Sequence, residues 1–252
     1  MTALRPHAAA LEQAAARRPA PPSFALALRR ETVAVIAEIK RASPSKGAIA
    51  PGLDAGAQAA AYVLGGAAAL SALTEPSRFG GEIADLDEAG RATAGAVPLL
   101  RKDFVVDELQ LVEARAHGAA AALLIARALD PATLRALARA AAGLGLDVLA
   151  EVRDEWELEA ALAAGAPVVG VNNRNLETLA IDLATGERLV PQIPADRVAV
   201  FESGVVQAAD VVRAASAGAD AVLVGSSVSG AADPAAAVAA LTGERRRPRG
   251  GG

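Results

Sequence analysis

Gly218-Ala219-Asp220-Ala221-Val222-Leu223-Val224-Gly225-Ser226-Ser227 is the stretch that decides the fold. A Gly-Ala pair opens it, a continuous apolar run follows, and small residues stand where the run ends. The same opening recurs at Gly66-Ala67, Gly118-Ala119 and Gly165-Ala166, at intervals of 52, 47 and 53 residues. One further apolar run precedes these and three fall between them, so the full set is Val33–Ile39, Ala67–Leu73, Val97–Leu100, Ala121–Ile125, Asp147–Glu151, Val168–Val171, Val198–Phe201 and Ala221–Val224. Most carry no polar alternation, which is the pattern of strands buried on both faces of a parallel sheet.

The segments between the runs are Ala-rich and carry helix punctuation. Asp130-Pro131 and Asp233-Pro234 each offer an N-cap followed by proline at the first helical position. Asp154 caps a helix that places Leu158, Ala161 and Leu162 on one face, and Gly165 can close it. Four copies of a double βα unit make eight. Eight such units in about 220 residues fit a closed α/β fold, the (β/α)8 or TIM barrel, better than an open doubly wound sheet. The glycine-rich turn that usually follows the first strand of the open sheet is absent after Ile39. The reading is therefore a short N-terminal helical extension over 1–32, a barrel over 33–242, and a basic, disordered tail over 243–252.

Composition excludes several chemistries. The 252 residues contain no cysteine, so disulfides, a thiol nucleophile and thiolate metal ligation are ruled out. With only His7 and His117, neither a His-rich metal site nor a Ser-His-Asp triad is well supplied. A net charge of −4 argues against nucleic-acid binding. No apolar run approaches membrane-spanning length and no signal pattern opens the chain, so a cytoplasmic protein without membrane partners is expected. Arginine outnumbers lysine 22 to 3, and all three asparagines (Asn172, Asn173, Asn175) fall within one short stretch. In a chain so biased, Lys40, Lys46 and Lys102 mark places where an ammonium group is needed, because only it readily loses a proton.

Polar residues gather where the runs end, the face on which barrels carry active sites. The first strand ends in Glu38-Ile39-Lys40, whose charged pair shares one face of the strand. Lys102 follows the third run, Glu151 ends the fifth, Asn172 follows the sixth and Glu202 the seventh. Any one could be a structural ion pair. Together they converge from five strands as an acid–base cluster. Ser203-Gly204 and Gly225-Ser226 follow the last two strands, where barrels commonly bind phosphate, and Lys40 or Ser43 can complete that site.

Ile36-Ala37-Glu38-Ile39-Lys40-Arg41-Ala42-Ser43-Pro44-Ser45-Lys46-Gly47 resembles the signature segment of the indole-3-glycerol-phosphate synthase family. So do Leu73-Thr74-Glu75-Pro76, Leu100-Arg101-Lys102-Asp103-Phe104, Gly170-Val171-Asn172-Asn173-Arg174-Asn175-Leu176, Glu202-Ser203-Gly204 and Gly225-Ser226-Ser227, the similarity running from about Val33 to Val228. The resemblance implies a monomeric or weakly dimerising barrel without cofactor. Its small phosphorylated substrate would be 1-(2-carboxyphenylamino)-1-deoxyribulose 5-phosphate, closed to the indole with loss of CO2 and water. By resemblance Lys102 is the general acid and Glu151 the general base, with Asn172 holding Glu151 and the substrate hydroxyls. Glu38 and Lys40 serve dehydration and grip the substrate carboxylate or phosphate, and Glu202 orients the lysines. Lys40, Ser43, Ser203, Gly204, Gly225 and Ser226 cradle phosphate, while Phe79, Phe104, Arg174 and Leu176 surround the ring.

The acid role also requires the cavity to lower the pKa of Lys102. Three residues depart from the family pattern: Arg78 stands where an aromatic usually sits beside Phe79, Phe201 replaces a small residue before Glu202, and Ala120 takes a place often held by Asp; the extension before the first strand is also shorter than usual. A phosphoribosylanthranilate isomerase is the nearest alternative, but that family relies on a Cys–Asp pair and this chain has no cysteine. A silent phosphosugar-binding barrel would tolerate loss of Lys102 or Glu151, and both are present.

Overall fold

The structure is a computed structural model, which describes residues 4–175 and 177–249. Eight parallel strands form: β1 Ala34–Ile39, β2 Ala69–Leu73, β3 Leu99–Lys102, β4 Ala121–Ile125, β5 Asp147–Val152, β6 Val168–Asn172, β7 Val198–Glu202 and β8 Ala221–Val224. Their hydrogen-bonded order, β1-β8-β7-β6-β5-β4-β3-β2, closes when β2 pairs with β1. Each apolar run thus becomes a strand, with one displacement that matters. The third run was expected over Val97–Leu100, yet the strand begins only at Leu99 and extends to Lys102. Pro98 has no N–H for the ladder, so pairing by N–H donation starts after it, and Lys102 becomes a strand residue.

Alternation sorts the side chains into two layers. Ala34, Ile36, Leu100, Leu123, Leu149, Val200 and Leu223 pack inside the barrel. Val35, Ala37, Ile39, Val169 and Phe201 join the outer layer between sheet and helices. With Ile39 outward, Glu38 and Lys40 turn to the mouth. Phe201 therefore fills the helix–sheet layer rather than the barrel or its pocket. Gly186 makes the room, since a Cβ there would collide with the Phe201 ring.

The helices are α1 Ala8–Arg17, α2 Phe24–Ala27, α3 Ala55–Leu64, α4 Pro76–Phe79, α5 Ala84–Ala92, α6 Glu108–Ala116, α7 Pro131–Gly143, α8 Glu155–Ala163, α9 Ala184–Leu189, α10 Ala208–Ser216, α11 Ser226–Ser229 and α12 Pro234–Ala239. Asp130, Asp154 and Asp233 accept backbone N–H groups at the starts of α7, α8 and α12, as their spacing implies. The four repeated glycines all have φ between 80° and 92°, the left-handed conformation that ends a helix and turns the chain into the next strand. None of the described helices is long and apolar enough to cross a membrane.

Both ends of the chain close the barrel's N-terminal end. Ser23 Oγ and the Ala25 N–H donate to Asp147 Oδ2 at 3.0 and 2.9 Å, fixing α2 against the start of β5. Phe24 and Leu28 are thereby buried among the inward-facing strand residues, each stabilising by about 2–3 kcal/mol. No described residue before Glu38 lines the mouth cavity.

The tail differs from the sequence expectation. Residues 244–249 are seated on the barrel, and only 250–252 lie outside the described residues. The Val33 N–H donates to Glu244 O at 2.8 Å, and the Arg246 N–H to Glu31 O at 3.0 Å. The buried Asp220 carboxylate needs counter-charge, which Arg246 and Arg249 supply, the latter at 2.6 Å.

Candidate active site

The C-terminal ends of the strands open into a cavity of about 340 Å³. Glu38, Lys40, Lys102, Asn172 and Glu202 line it. So do Ser43, Ser203, Gly204, Gly225 and Ser226 of the expected phosphate site, and Phe79, Phe104 and Arg174 of the expected ring pocket. Glu151 is not in the wall but meets the Lys102 ammonium at 3.5 Å. Leu176 lies outside the described residues.

Two ion pairs organise the charges. Lys40 Nζ sits 2.6 Å from Glu38 Oε1, and Lys102 faces Glu151. Burial works to raise the Glu38 carboxyl, but the ammonium groups of Lys40 and Lys102 outweigh it and hold the group below the usual range. Burial likewise works to lower Lys102. The charges of Glu151, then Glu202 and Glu38, overcome it and hold the ammonium above an ordinary lysine. The cavity does not depress this pKa, contrary to the expectation for a ready donor. Lys102 is held charged until a stronger base, such as a developing alkoxide, takes its proton.

Glu202 differs from its expected role. It makes no ion pair among the described residues, and its buried Oε1 has no hydrogen-bond partner. Burial, then the charge of Glu151, push it up to about 8 against the pull of Lys102. The raised pKa favours the neutral acid at pH 7 over the carboxylate expected to orient the lysines. Gly170 gives it space, because a Cβ there would coincide with Glu202 Oε1.

Asn172 also departs from expectation. It makes no hydrogen bond to Glu151 among the described residues; its Oδ1 accepts from the Arg174 N–H and Ser203 Oγ, both at 2.9 Å. Ser203 and Gly204 are consecutive residues at φ 64° and 86°, a strained turn of the kind that concentrates at functional sites. Asn173 fixes this turn by donating to Glu202 O at 2.8 Å and Ser203 O at 3.1 Å. At β8, Gly225 leaves room for a charged pair that the sequence did not place there. A Cβ there would collide with Glu38 Oε1 and stand 2.5 Å from Lys40 Nζ.

Sequence reading missed the groups that hold the end of β1. Tyr62, the chain's single tyrosine, donates to Glu38 O at 3.1 Å, and Ser229 Oγ donates to the same carbonyl at 2.7 Å. The Lys40 N–H donates to Ser229 Oγ at 3.2 Å. A lone buried tyrosine was the available signal. Leu179 and Ile181 of the loop after β6 also line the cavity, and no periodicity announced them.

Fold and mouth together define the class: a (β/α)8-barrel enzyme with a paired acid–base cluster at its strand ends. A family model described as indole-3-glycerol phosphate synthase matches residues 2–241, taking in the N-terminal extension as well. An indole-3-glycerol phosphate synthase of Streptomyces griseus is 51% identical over 238 residues, 94% of this chain and 88% of that one. Indole-3-glycerol phosphate synthase 1 of Streptomyces coelicolor is 52% identical over 237 residues, 94% of this chain and 87% of its own. The chain belongs to the indole-3-glycerol phosphate synthase family. Among solved structures, 3-hexulose-6-phosphate synthase from Salmonella typhimurium has a TM-score of 0.67 at 15% identity, covering 83% of this chain and 96% of its own. Thiamine phosphate pyrophosphorylase from Pyrococcus furiosus gives 0.63 at 17% identity, covering 85% of this chain and 95% of its own. These two share the fold.

Proposed function

We propose that the mouth cavity closes the indole ring of 1-(2-carboxyphenylamino)-1-deoxyribulose 5-phosphate, releasing CO2 and water to leave indole-3-glycerol phosphate. Family membership supports the reaction. The Lys102–Glu151 pair at 3.5 Å, opposite loops suited to phosphate, is the observation that carries the assignment to this cavity.

The aromatic ring carbon attacks the ribulose carbonyl, a C–C bond forms, and Lys102 protonates the carbonyl oxygen. The carboxylate then leaves as CO2, its electron pair returning to the ring, in a wall where Phe79 and Phe104 favour the loss of charge. The new hydroxyl departs as water with a second proton, supplied at the Glu38–Lys40 pair, and Glu151 takes the proton that aromatisation releases. Glu202, its pKa raised, places less negative charge beside Lys102 than an ordinary glutamate would. Asn172 and Ser203 orient the substrate hydroxyls, and Lys40, Ser43, Gly204, Gly225 and Ser226 hold the phosphate. Every named group comes from one chain, so the reading needs no residue from a second copy, and no step in it calls on a cofactor. Mixing the purified protein with this substrate should give growing indole fluorescence. Unconsumed substrate and no fluorescence would remove the reading.

A further inference from the structure

Five cations line the mouth cavity: Lys40, Lys46, Arg78, Lys102 and Arg174. Lys40 and Lys102 are paired with carboxylates, and Arg174 donates to Leu179 O at 2.8 Å. Lys46 and Arg78 are different. Both are exposed at the rim, and neither side chain makes an ion pair or a hydrogen bond among the described residues. Yet Arg78 is firmly placed. The Glu75 carboxylate accepts the Ser77 and Arg78 N–H groups at the start of α4. The left-handed Gly80 ends the helix, and Arg41 reaches Gly80 O at 3.4 Å while gripping Asp85 at 2.5 and 2.7 Å. A turn fixed at both ends therefore presents Arg78 next to Phe79, with Lys46 at the tip of the two-stranded ribbon formed by Ala42–Ser43 and Gly47–Ala48.

We propose that Arg78, assisted by Lys46, is a specificity-determining residue that receives the carboxylate on the substrate's aromatic ring. The proposal rests on the ring-closing reading above. That substrate is an anion at both ends. The phosphate is taken by the loops after β7 and β8, and the ring lies toward Phe79 and Phe104 on the opposite side, which leaves its carboxylate at the rim beside Arg78. A guanidinium fork matches a carboxylate in two parallel hydrogen bonds, which an ammonium cannot do. Exposure keeps the pair weak, so the carboxylate can leave it for the wall of Phe79 and Phe104 where its charge is lost as CO2. An ion pair in water is worth at most about fivefold in affinity, so it orients the carboxylate without trapping it.

The test uses two non-reacting inhibitors made by reducing the keto group, one with the 2-carboxyphenylamino ring and one with a plain phenylamino ring. Arg78→Gln should weaken the carboxylated inhibitor about fivefold and leave the plain one within error. In turnover, the loss should fall mainly in KM. Arg78→Lys should recover part of the discrimination, and Lys46→Gln should reproduce a smaller share of it. Raising salt should shrink the wild-type preference for the carboxylated inhibitor. Equal weakening of both inhibitors would reduce Arg78 to a structural rim residue and overturn the proposal, as would no change in either. If wild type neither binds these inhibitors nor turns over the substrate, the ring-closing reading itself has failed. If wild type does both and only the Arg78→Gln contrast is missing, the proposal alone falls.

Discussion

Replacing Lys102 in two ways separates its charge from its proton. The ammonium stands 3.5 Å from Glu151 and is held charged chiefly by that carboxylate. Lys102→Arg keeps the positive charge that this carboxylate needs, so substrate binding and melting temperature should stay close to wild type. Guanidinium does not release a proton to a nascent alkoxide, so kcat should fall about 100- to 10,000-fold, or about 3–5 kcal/mol of transition-state stabilisation. Lys102→Gln removes the charge as well and leaves Glu151 buried without a partner. Breaking a buried pair by removing one partner costs about 3–5 kcal/mol. For a chain of this size the melting temperature should drop by roughly 6–20 °C. Single-turnover fluorescence gives the rate and scanning calorimetry gives the stability. An Arg variant within tenfold of wild-type kcat would refute the general-acid assignment. A Gln variant as stable as wild type at pH 7 would refute the charge accounting.

Glu202→Gln tests the neutral acid. The folded carboxyl takes its proton at about 8 and the unfolded one near 4.5, so between those values the native state holds the extra proton and its stability falls as pH rises. Glutamine cannot titrate, so the melting temperature of the variant minus that of wild type should increase from pH 5 to 8 and level off above; a constant difference would contradict a raised pKa. Gly225→Ala should displace the Glu38–Lys40 pair that its methyl would strike, cutting kcat/KM about 100-fold and reducing the rise in melting temperature that sulfate produces in wild type. Unchanged kinetics would mean the pair has no catalytic part. Deleting residues 244–252 removes both arginines from Asp220 and should cost up to about 3 kcal/mol, seen in calorimetry, with activity at 25 °C retained. Adding Asp220→Asn should restore part of the loss, and no restoration would show that the carboxylate charge is not the cause.

The strands were legible because burial on both faces leaves an uninterrupted apolar run, and the four left-handed glycines gave those runs a visible period. That charged and amide side chains would meet at the strand ends was legible by type and position together, since lysine and asparagine are scarce in a chain that otherwise uses arginine and alanine. Other features carry no such local signature. Phe24 and Leu28 sit in a proline-flanked stretch whose role as a plug depends on the barrel above it. Arg246 and Arg249 read as a solvated tail because Asp220, 26 and 29 residues away, gives no sequence pattern linking them. Protonation was hidden too. Whether Glu202 is charged depends on Gly170 opening a dry space and on Glu151 lying nearby, neither of which the Glu-Ser-Gly motif reveals.

The charges at the mouth sort into two groups with different tasks. The inner set is self-neutralising: Glu38 with Lys40, Glu151 with Lys102, and Glu202 carrying its own proton. Such a set can stay buried without substrate, because no member is left as a net charge in low dielectric. Lys46, Arg78 and Arg174 form an outer set with no carboxylate partner among the described residues lining the cavity, and a substrate bearing a phosphate dianion and one carboxylate brings about three negative charges to meet them. On a protein of net charge −4, that outer set makes the mouth locally attractive to an anion the rest of the surface repels, which focuses encounter on the right face. It follows that neutralising one outer cation should slow association and weaken its salt dependence, whereas neutralising one inner group should change the chemical step and its pH profile. The two outcomes are separable in one stopped-flow series over salt and pH, and a rim variant that altered the pH profile of single-turnover chemistry would show that the two sets are not independent.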